Sequence, residues 1–501
     1  MKKTKEVCIF IFFFTVILSS IIIKPINDLD EIWNYNFARN IANGLVPYRD
    51  FNMVVTPFTA IITGIILRIT FDELIVMRII ASILASLILL LTYKIFLKIK
   101  LKSEIAFIFT ASFFYLFKNL FCIDYNFVTL LVTIIIIYIE IKQNNKTNNI
   151  FSINKNTEIL IGFLSGVALI TKQTSGIIIC IVALGNKLLF ARKKEHYKTY
   201  LKSFFLRIIG IFIPILTTIV YLLINNSFKD FVSYTIQGIN SFDNFISYNN
   251  LINWNSTGVY DKIISILALS IPLIFIHSWY ICIVKEKEKN IYYLLVYGLG
   301  TFIITFPISN CIHFLIGSLP WMTVLLYYVY ILLYKIYSKT KQKRKIYFFF
   351  LYFIKFFIIF IIAFYTLNNY CKYIKSKGDF SELKHFKYII IDNKLENQIE
   401  KVSNYIKNNN DQKTLILDSS AAIYMIPIDR YNKDYDMFNK GNFGIDGENR
   451  LRNSIKSTRN TKYLILKDKF SKNWQTPSSI IDYVKENKEN IGEIEVFDIY
   501  K

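Results

Sequence analysis

The stretch CIFIFFFTVILSSIIIK (residues 8–24) is followed, after two residues, by NDLDEIWNYNFARNIANGLVPYRDFN (residues 27–52). The first is almost entirely apolar and close to the roughly 20 residues that cross a bilayer as a helix, which satisfies its own backbone polar groups there. The second contains four acids, two arginines and no apolar run. This order predicts a membrane helix that leads into a polar, aromatic-containing loop at a membrane surface.

Apolar blocks recur along most of the remaining sequence. The chain has 501 residues and is 53% hydrophobic, and the apolar residues form long blocks, whereas globular domains distribute them periodically. We therefore expect a mainly α, polytopic membrane protein with about eleven transmembrane helices. The predicted crossings are residues 8–23, 77–97, 105–117, 121–141, 159–171, 175–190, 204–223, 263–284, 291–308, 314–334 and 347–367.

The formal net charge of +23 is concentrated in short loops between these blocks, so it does not indicate a nucleic-acid partner. Short loops rich in lysine and arginine remain on the cytoplasmic side of a membrane. We therefore expect an uncleaved first helix with a cytoplasmic N-terminus, and a multi-pass protein of the cytoplasmic membrane whose C-terminal part is extracytoplasmic. The loops are residues 98–102, 191–198, 285–289 and 339–345.

One apolar block, residues 54–69 (VVTPFTAIITGIILRI), conflicts with this arrangement. If it crossed the membrane, the lysines of residues 98–102 would lie outside, and lysines are difficult to translocate. We interpret this block as a re-entrant or interfacial helix.

The sequence changes character after the last apolar block, which predicts two domains: a membrane module over residues 1–369 and an extracytoplasmic α/β domain over residues 370–501. In the second domain the charges are mixed and the apolar residues become periodic. Strands are predicted at residues 387–392, 414–418, 463–467 and 493–500, and helices at residues 395–406 and 477–486. The glycine-containing residues 441–448 lack phosphate-loop spacing, so we expect an ordinary loop that leads into a helix.

Charged residues at the predicted outer helix ends are the candidates for chemistry, because a charge in hydrocarbon is costly and usually faces a wet cavity. Asp30 and Glu31 begin a segment, residues 31–42, whose apolar residues recur at helical spacing and predict an interfacial amphipathic helix. Asp124 and Lys172 interrupt later apolar blocks. His313 stands at the start of another block.

Each candidate also has a purely structural interpretation. Asp28 or Asp30 would cap a helix N-terminus. Lys172 would extend its ammonium group to the membrane interface. His313 would be a polar residue at the start of a helix, without a ligand. The six cysteines show no metal-ligand spacing, so no metal ligands are predicted.

Several of these positions, in this order, resemble the polyprenol-phosphate-dependent glycosyltransferases of the GT-C fold, a superfamily that includes protein O-mannosyltransferases and lipid A aminoarabinose transferases. The resemblance covers roughly the first 200 residues, and the later helices match by architecture only. The tail is similar to the extracytoplasmic domain of many members. The matching positions are Asp30, Glu31, Gly44, Pro47, Tyr48, Arg49, Asp50, Phe51, Pro57, Asp124, Thr171 and Lys172.

The resemblance implies an inverting transfer of a hexose or pentose from a polyprenyl-phosphate donor to an acceptor at the outer membrane face. Asp30 corresponds to the family's base, with Glu31 and Asp124 as further catalytic candidates. The implied residues for donor phosphate or substrate are Tyr48, Arg49, Lys172, Gln173 and His313. Partners would be the lipid-linked donor, membrane lipids and an unidentified glycan, lipid or protein acceptor. The resemblance identifies no definite cofactor and leaves a divalent metal ion open.

One position departs from the pattern. Some relatives place a lysine directly before the proline-started segment, whereas this chain has Thr56 before Pro57. A cation for the donor phosphate would then have to come from elsewhere, such as Arg49 or Lys172.

Two other classes of function remain open at this stage. A lipid or glycan transporter would place ionisable residues near the middle of the membrane, with repeats and broken helices. Here the charges lie at the predicted outer helix ends, and no repeat of fixed period is found. A membrane scaffold that only presents the tail would not explain Asp124 or Lys172.

Overall fold

The computed structural model of the protein describes residues 2–26, 29–238, 245–337, 341–409, 412–458, 460–467 and 475–501. Its larger part is helical. The helices there are α1 (Lys2–Ile22), α2 (Leu29–Ala42), α3 (Phe58–Ile69), α4 (Leu74–Lys98), α5 (Ser103–Phe117), α6 (Tyr125–Thr147), α7 (Lys155–Thr171), α8 (Gln173–Gly185), α9 (Lys194–Ile224), α10 (Phe228–Phe231), α11 (Val259–Trp279), α12 (Lys289–Phe302), α13 (Cys311–Tyr337) and α14 (Lys341–Lys375).

Among the described residues, eight helical segments are long and apolar enough to cross a membrane; they contain α1, α4, α6, α8, α9, α11, α13 and α14. The predicted crossings at 105–117, 159–171 and 291–308 correspond to the shorter helices α5, α7 and α12, with 15, 17 and 14 residues. Such helices are about 21–26 Å long, less than the roughly 30 Å hydrocarbon core. The protein is thus a multi-pass membrane protein of mainly α fold, as predicted, with three of the expected crossings shorter than one membrane thickness.

The polar loop after α1 contains the predicted helix, now α2, but this helix is not an exposed interfacial one. Its polar residues Arg39 and Asn40 are each 1% exposed, because the C-terminal tail covers them. The next helix, α3, has 12 residues and is about 18 Å long, too short to span the hydrocarbon core. It packs closely on α2 at Gly64, where a Cβ atom would lie 2.8 Å from the Ala38 carbonyl oxygen.

The tail forms the small α/β unit expected from its periodicity. Its sheet has the order β1-β2-β4-β3, with β1 parallel to β2 and with β4 antiparallel to both β2 and β3. The loop at 441–448 leads into a helix, as predicted. The elements are α15 (Asn393–Asn408), β1 (Lys413–Ile416), α16 (Ala421–Met425), α17 (Gly447–Ser457), β2 (Thr461–Leu466), α18 (Ser478–Asn487), β3 (Asn490–Ile494) and β4 (Phe497–Tyr500).

Two strand predictions in the tail were wrong in detail. Residues 387–392 form no sheet strand; Ile390 makes only an isolated bridge with Phe380, and the left-handed backbone at Tyr388 (φ 66°) interrupts the extended chain. Residues 493–500 divide between β3 and β4, because Glu495 is also left-handed (φ 47°) and reverses the chain.

The tail lies against the end of the helix bundle at which α2 and α6 begin, which we call the tail-facing end. The backbone N–H of Leu74 donates to the His385 carbonyl oxygen at 3.0 Å, and the Val54 N–H donates to the Asp436 carboxylate at 2.8 Å. The opposite end, which contains residues 98–102 and 285–289, is called the lysine-rich end.

Candidate active site

Lys172 occupies the break between two helices at the tail-facing end. α7 ends at Thr171 and α8 begins at Gln173, and Lys172 between them has an extended backbone (φ −147°, ψ 111°). Its Nζ donates to Asn126 Oδ1 at 2.6 Å and lies 5.3 Å from the centroid of the Tyr125 ring. The extended residue turns this side chain away from both helix axes and toward the start of α6.

The ammonium group of Lys172 is not neutralised by a directly bonded carboxylate: no ion pair to it occurs in the part of the chain that the structure describes. Burial lowers the pKa of Lys172 to about 8, while the negative charges of Asp124 and Asp30 act in the opposite direction. With one N–H donated to Asn126, two donors remain. The group can therefore bind an anion, and it is protonated at neutral pH.

Asp124 orients the side chain that holds Lys172. It is the N-cap of α6, and its Oδ1 accepts from the Phe127 backbone N–H at 2.8 Å. Its Oδ2 accepts from Asn126 Nδ2 at 3.2 Å, which leaves Asn126 Oδ1 directed at Lys172. Asp124 is 2% exposed, and these contacts favour an orienting role over direct proton transfer.

Asp30 reaches the same cluster from α2. It lies in the first turn of this helix and is partly exposed, and its charge acts on both Lys172 and Tyr125. One turn later, the Trp33 ring meets Tyr125 edge-on, with ring centroids 6.0 Å apart. The alternative acid, Asp28, lies outside the described residues.

Glu31, next to Asp30, is placed differently. Both of its carboxylate oxygens accept from Arg78 of α4, each at 2.9 Å, and the two side chains are 0% and 5% exposed. Arg78 also donates to the Lys24 carbonyl oxygen at 2.7 Å. This bidentate pair links α2 to α4 and to the chain after α1. The contacts of Glu31 are therefore those of a residue that stabilises the fold.

Two of the residues predicted to bind the donor make contacts away from Lys172. The Tyr48 hydroxyl is buried and donates to the Val55 carbonyl oxygen at 2.7 Å. Arg49 is on the surface and pairs with its neighbour Asp50 at 2.8 Å. The structure thus gives Tyr48 a role in the loop fold and does not bring Arg49 into the cluster.

The other two predicted substrate residues lie nearer. Gln173 Nε2 donates to the Val54 carbonyl oxygen at 3.2 Å, while its Oε1 is buried and unpaired within the described residues. His313 Nδ1 is 2.8 Å from Asn310 Oδ1, and the charge of Lys172 acts on its imidazole. His313 therefore belongs to the surroundings of Lys172.

Two groups were missed by sequence reasoning. The Trp33 indole N–H is buried without a partner in the described chain, so it can donate to a ligand. Asp436 comes from the tail, where burial raises its pKa to about 7, and its charge acts on Tyr125. Only the helical spacing of Trp33 was visible in the sequence, and no local pattern marks Asp436.

A metal centre was not predicted from the cysteines, and a divalent ion was left open. In the described portion of the chain, no three or more His, Cys, Asp or Glu side chains are grouped so that they could hold a metal ion. Among the described residues, Asp30, Asp124 and Lys172 bring two carboxylates and one ammonium group into the same cluster.

No protein-family model matches the sequence, and no curated protein sequence matches it. Solved structures do match the fold. ArnT from Cupriavidus metallidurans bound to undecaprenyl phosphate is 9% identical, with a TM-score of 0.56 over 99% of this chain and 98% of that chain. The apo oligosaccharyltransferase of Archaeoglobus fulgidus is 10% identical, with a TM-score of 0.45 over 84% of this chain and 63% of its own. The whole-length match to ArnT confirms the predicted fold: the chain has the GT-C fold.

Proposed function

We propose that this chain is an integral membrane glycosyltransferase that moves a sugar from a polyprenyl-phosphate donor to an acceptor at the outer face of the cytoplasmic membrane. The observation that carries the proposal is Lys172, an ammonium group with spare hydrogen-bond donors beside Asp30 and Asp124. The fold shared over the full length with a transferase bound to undecaprenyl phosphate supports the same conclusion.

In this proposal the donor phosphate binds at Lys172. The phosphate gains negative charge as the bond between the anomeric carbon and the phosphate oxygen breaks, so a nearby ammonium group stabilises the transition state. Asn126, held by Asp124, fixes the position of Lys172. The Trp33 N–H is placed to donate to the sugar or the phosphate.

Asp30 is the proposed base. The acceptor hydroxyl attacks the anomeric carbon from the side opposite the phosphate, its proton moves to the Asp30 carboxylate, and polyprenyl phosphate leaves with the bonding electrons. A single displacement of this kind inverts the anomeric centre. Glu31 does not take this role in the proposal, because Arg78 engages both of its oxygens.

The test is turnover by purified protein offered a panel of polyprenyl-phosphate sugars, with release of polyprenyl phosphate as the readout. Asp30→Asn should lower turnover by roughly 10²–10⁴-fold, the usual effect of removing a general base. Because Asp30 lies in the first turn of α2 and Asn keeps the shape of the side chain, the loss of its charge near the helix N-terminus should lower stability by at most about 1 kcal/mol.

Asp230→Asn is the matched control. Asp230 lies at the same end of the bundle, 3.5 Å from Lys433 and about half exposed, so its loss should not alter turnover. Near-normal turnover of a stable Asp30→Asn protein would remove Asp30 from the mechanism. Absence of release from every donor would refute the transferase activity itself.

A further inference from the structure

A cavity lies at the lysine-rich end, between the last turns of α4 and α6, the start of α12 and the side of α13. It has a volume of about 740 Å³. Along α6, its residue Asn144 is 20 positions from Asp124, or about 30 Å. The cavity is therefore separate from the candidate active site.

The cavity is positively charged. Lys98, Lys100 and Lys289 line it, and within the residues that the structure covers none of these three lysines forms an ion pair. One carboxylate, Glu288, also lines the cavity, and its Oε2 accepts from the Tyr327 hydroxyl at 2.8 Å. Three ammonium groups and one carboxylate leave a net positive lining.

A chain of amides at the wall of this cavity ends in one unused acceptor. Asn144 Nδ2 donates to Asn290 Oδ1 at 2.8 Å, and Asn290 Nδ2 donates to Asn145 Oδ1 at 2.8 Å. Asn145 Nδ2 then donates to the Lys98 carbonyl oxygen at 3.0 Å. Because a carbonyl only accepts, the orientation of all three amides is fixed.

It follows that the remaining atom of Asn144 is a carbonyl oxygen and not an amide nitrogen. This Oδ1 is buried and has no partner among the described residues, and Asn144 is 7% exposed. A buried acceptor without a donor is costly. A ligand that combines an anion for the lysines with a hydrogen-bond donor, such as a hydroxyl, for Asn144 would match both features of this cavity.

We propose that the cavity at the lysine-rich end binds a phosphate ester that carries a free hydroxyl group. Basic pockets between membrane helices are known to hold anionic lipid headgroups. The same chemistry is found in a glycerol-phosphate lipid headgroup and in a free glycerol phosphate. In both, the phosphate would pair with the lysine ammonium groups and a hydroxyl would donate to Asn144 Oδ1.

The experiment is calorimetric titration of the full chain in an uncharged detergent. The probes are dioctanoyl-phosphatidylglycerol, dioctanoyl-phosphatidylmethanol, which has the same charge but lacks the hydroxyls, and glycerol 3-phosphate. Binding of phosphatidylglycerol but not glycerol 3-phosphate assigns the site to a lipid, and equal binding of both assigns it to a free phosphate ester.

The triple variant Lys98→Gln, Lys100→Gln, Lys289→Gln should raise the Kd for phosphatidylglycerol by on the order of 10–100-fold. The matched control is Lys193→Gln, Lys194→Gln, Lys198→Gln, which removes three exposed lysines near the same end and should leave Kd unchanged. If neither probe class binds the wild type, or if the two triple variants behave alike, the site does not exist.

Asn144→Leu tests the hydroxyl contact. It should weaken binding of phosphatidylglycerol to the level of phosphatidylmethanol and leave phosphatidylmethanol binding unchanged. Equal losses for both lipids would show that Asn144 acts only on the shape of the cavity, and would overturn the requirement for a hydroxyl.

Discussion

Two clusters of charged residues lie toward opposite ends of the helix bundle, and they differ in how completely protein groups satisfy their charges. Near the lysine-rich end, Arg207 pairs with Glu158 at 2.6 Å and with Glu140 at 2.8 Å, and Lys187 also pairs with Glu158. The four side chains are at most 3% exposed. At the tail-facing end, the described residues give Lys172 one hydrogen-bond partner, the amide oxygen of Asn126.

This difference distinguishes a cluster that stabilises the fold from a cluster that can bind a ligand. Breaking a buried ion pair is strongly destabilising, because the remaining charge is left uncompensated, so a saturated cluster holds its helices together. α7 and α9 can approach closely there, since a Cβ atom at Gly162 would lie only 2.1 Å from the Arg207 carbonyl oxygen. A cation with spare donors, in contrast, is available to a ligand.

The largest expected effect is on stability. Arg207→Met removes the cation that pairs with both Glu140 and Glu158, and it leaves the pair between Lys187 and Glu158. This variant should be destabilised by about 3–5 kcal/mol, measured as a lower thermal midpoint and a lower yield in detergent. Lys172→Met should alter the midpoint little, because it breaks no ion pair. Equal destabilisation by the two variants would contradict the contrast between the clusters.

The next effect is on donor binding and its pH dependence. Lys172→Met should raise the Kd for donor by more than about tenfold, the range of a hydrogen bond to a charged group. Since the pKa of Lys172 is about 8, donor binding by the wild type should be nearly constant below about pH 7 and weaken as the pH rises through 8. Lys172→Arg should remove this alkaline loss, and titration of donor from pH 6 to 10 would detect it.

A smaller effect is expected where the tail holds α2. Asp429 accepts from Arg39 at 2.9 Å and is 2.8 Å from His385 Nε2. Asp429→Asn should therefore loosen α2, seen as faster hydrogen exchange of this helix and a few-fold loss of turnover. Glu493→Gln, which breaks an exposed pair with Lys467, is the control, since such pairs contribute at most about 1 kcal/mol.

The smallest effect concerns Asp436, whose pKa of about 7 lies above its usual value. Between roughly pH 4 and pH 7 the folded chain holds a proton that the unfolded chain releases, so this contribution to stability is present at low pH and is lost as the pH rises through 7. Asp436→Asn should make the thermal midpoint less dependent on pH between pH 5 and pH 8. Identical pH profiles for variant and wild type would show that Asp436 does not titrate in this range.

Some features of the site were readable from local sequence. Lys172 stands between two apolar runs and Asp124 precedes another, and both lie at helix starts, where a polar residue is conspicuous. The saturated cluster was not anticipated from the sequence. Glu140, Glu158 and Arg207 lie on separate helices, so no single stretch of sequence shows that they meet.

The sequence alone determined the membrane class, the helices and the α/β character of the tail, because hydrophobic length and periodicity act between residues that are close in the chain. Tertiary structure decided which acid of the Asp30–Glu31 pair is held by Arg78 and that Asp436 of the tail lies near Tyr125. These outcomes depend on the packing of distant helices, and hydrogen bonds to charged groups form only where packing brings donor and acceptor within about 3 Å.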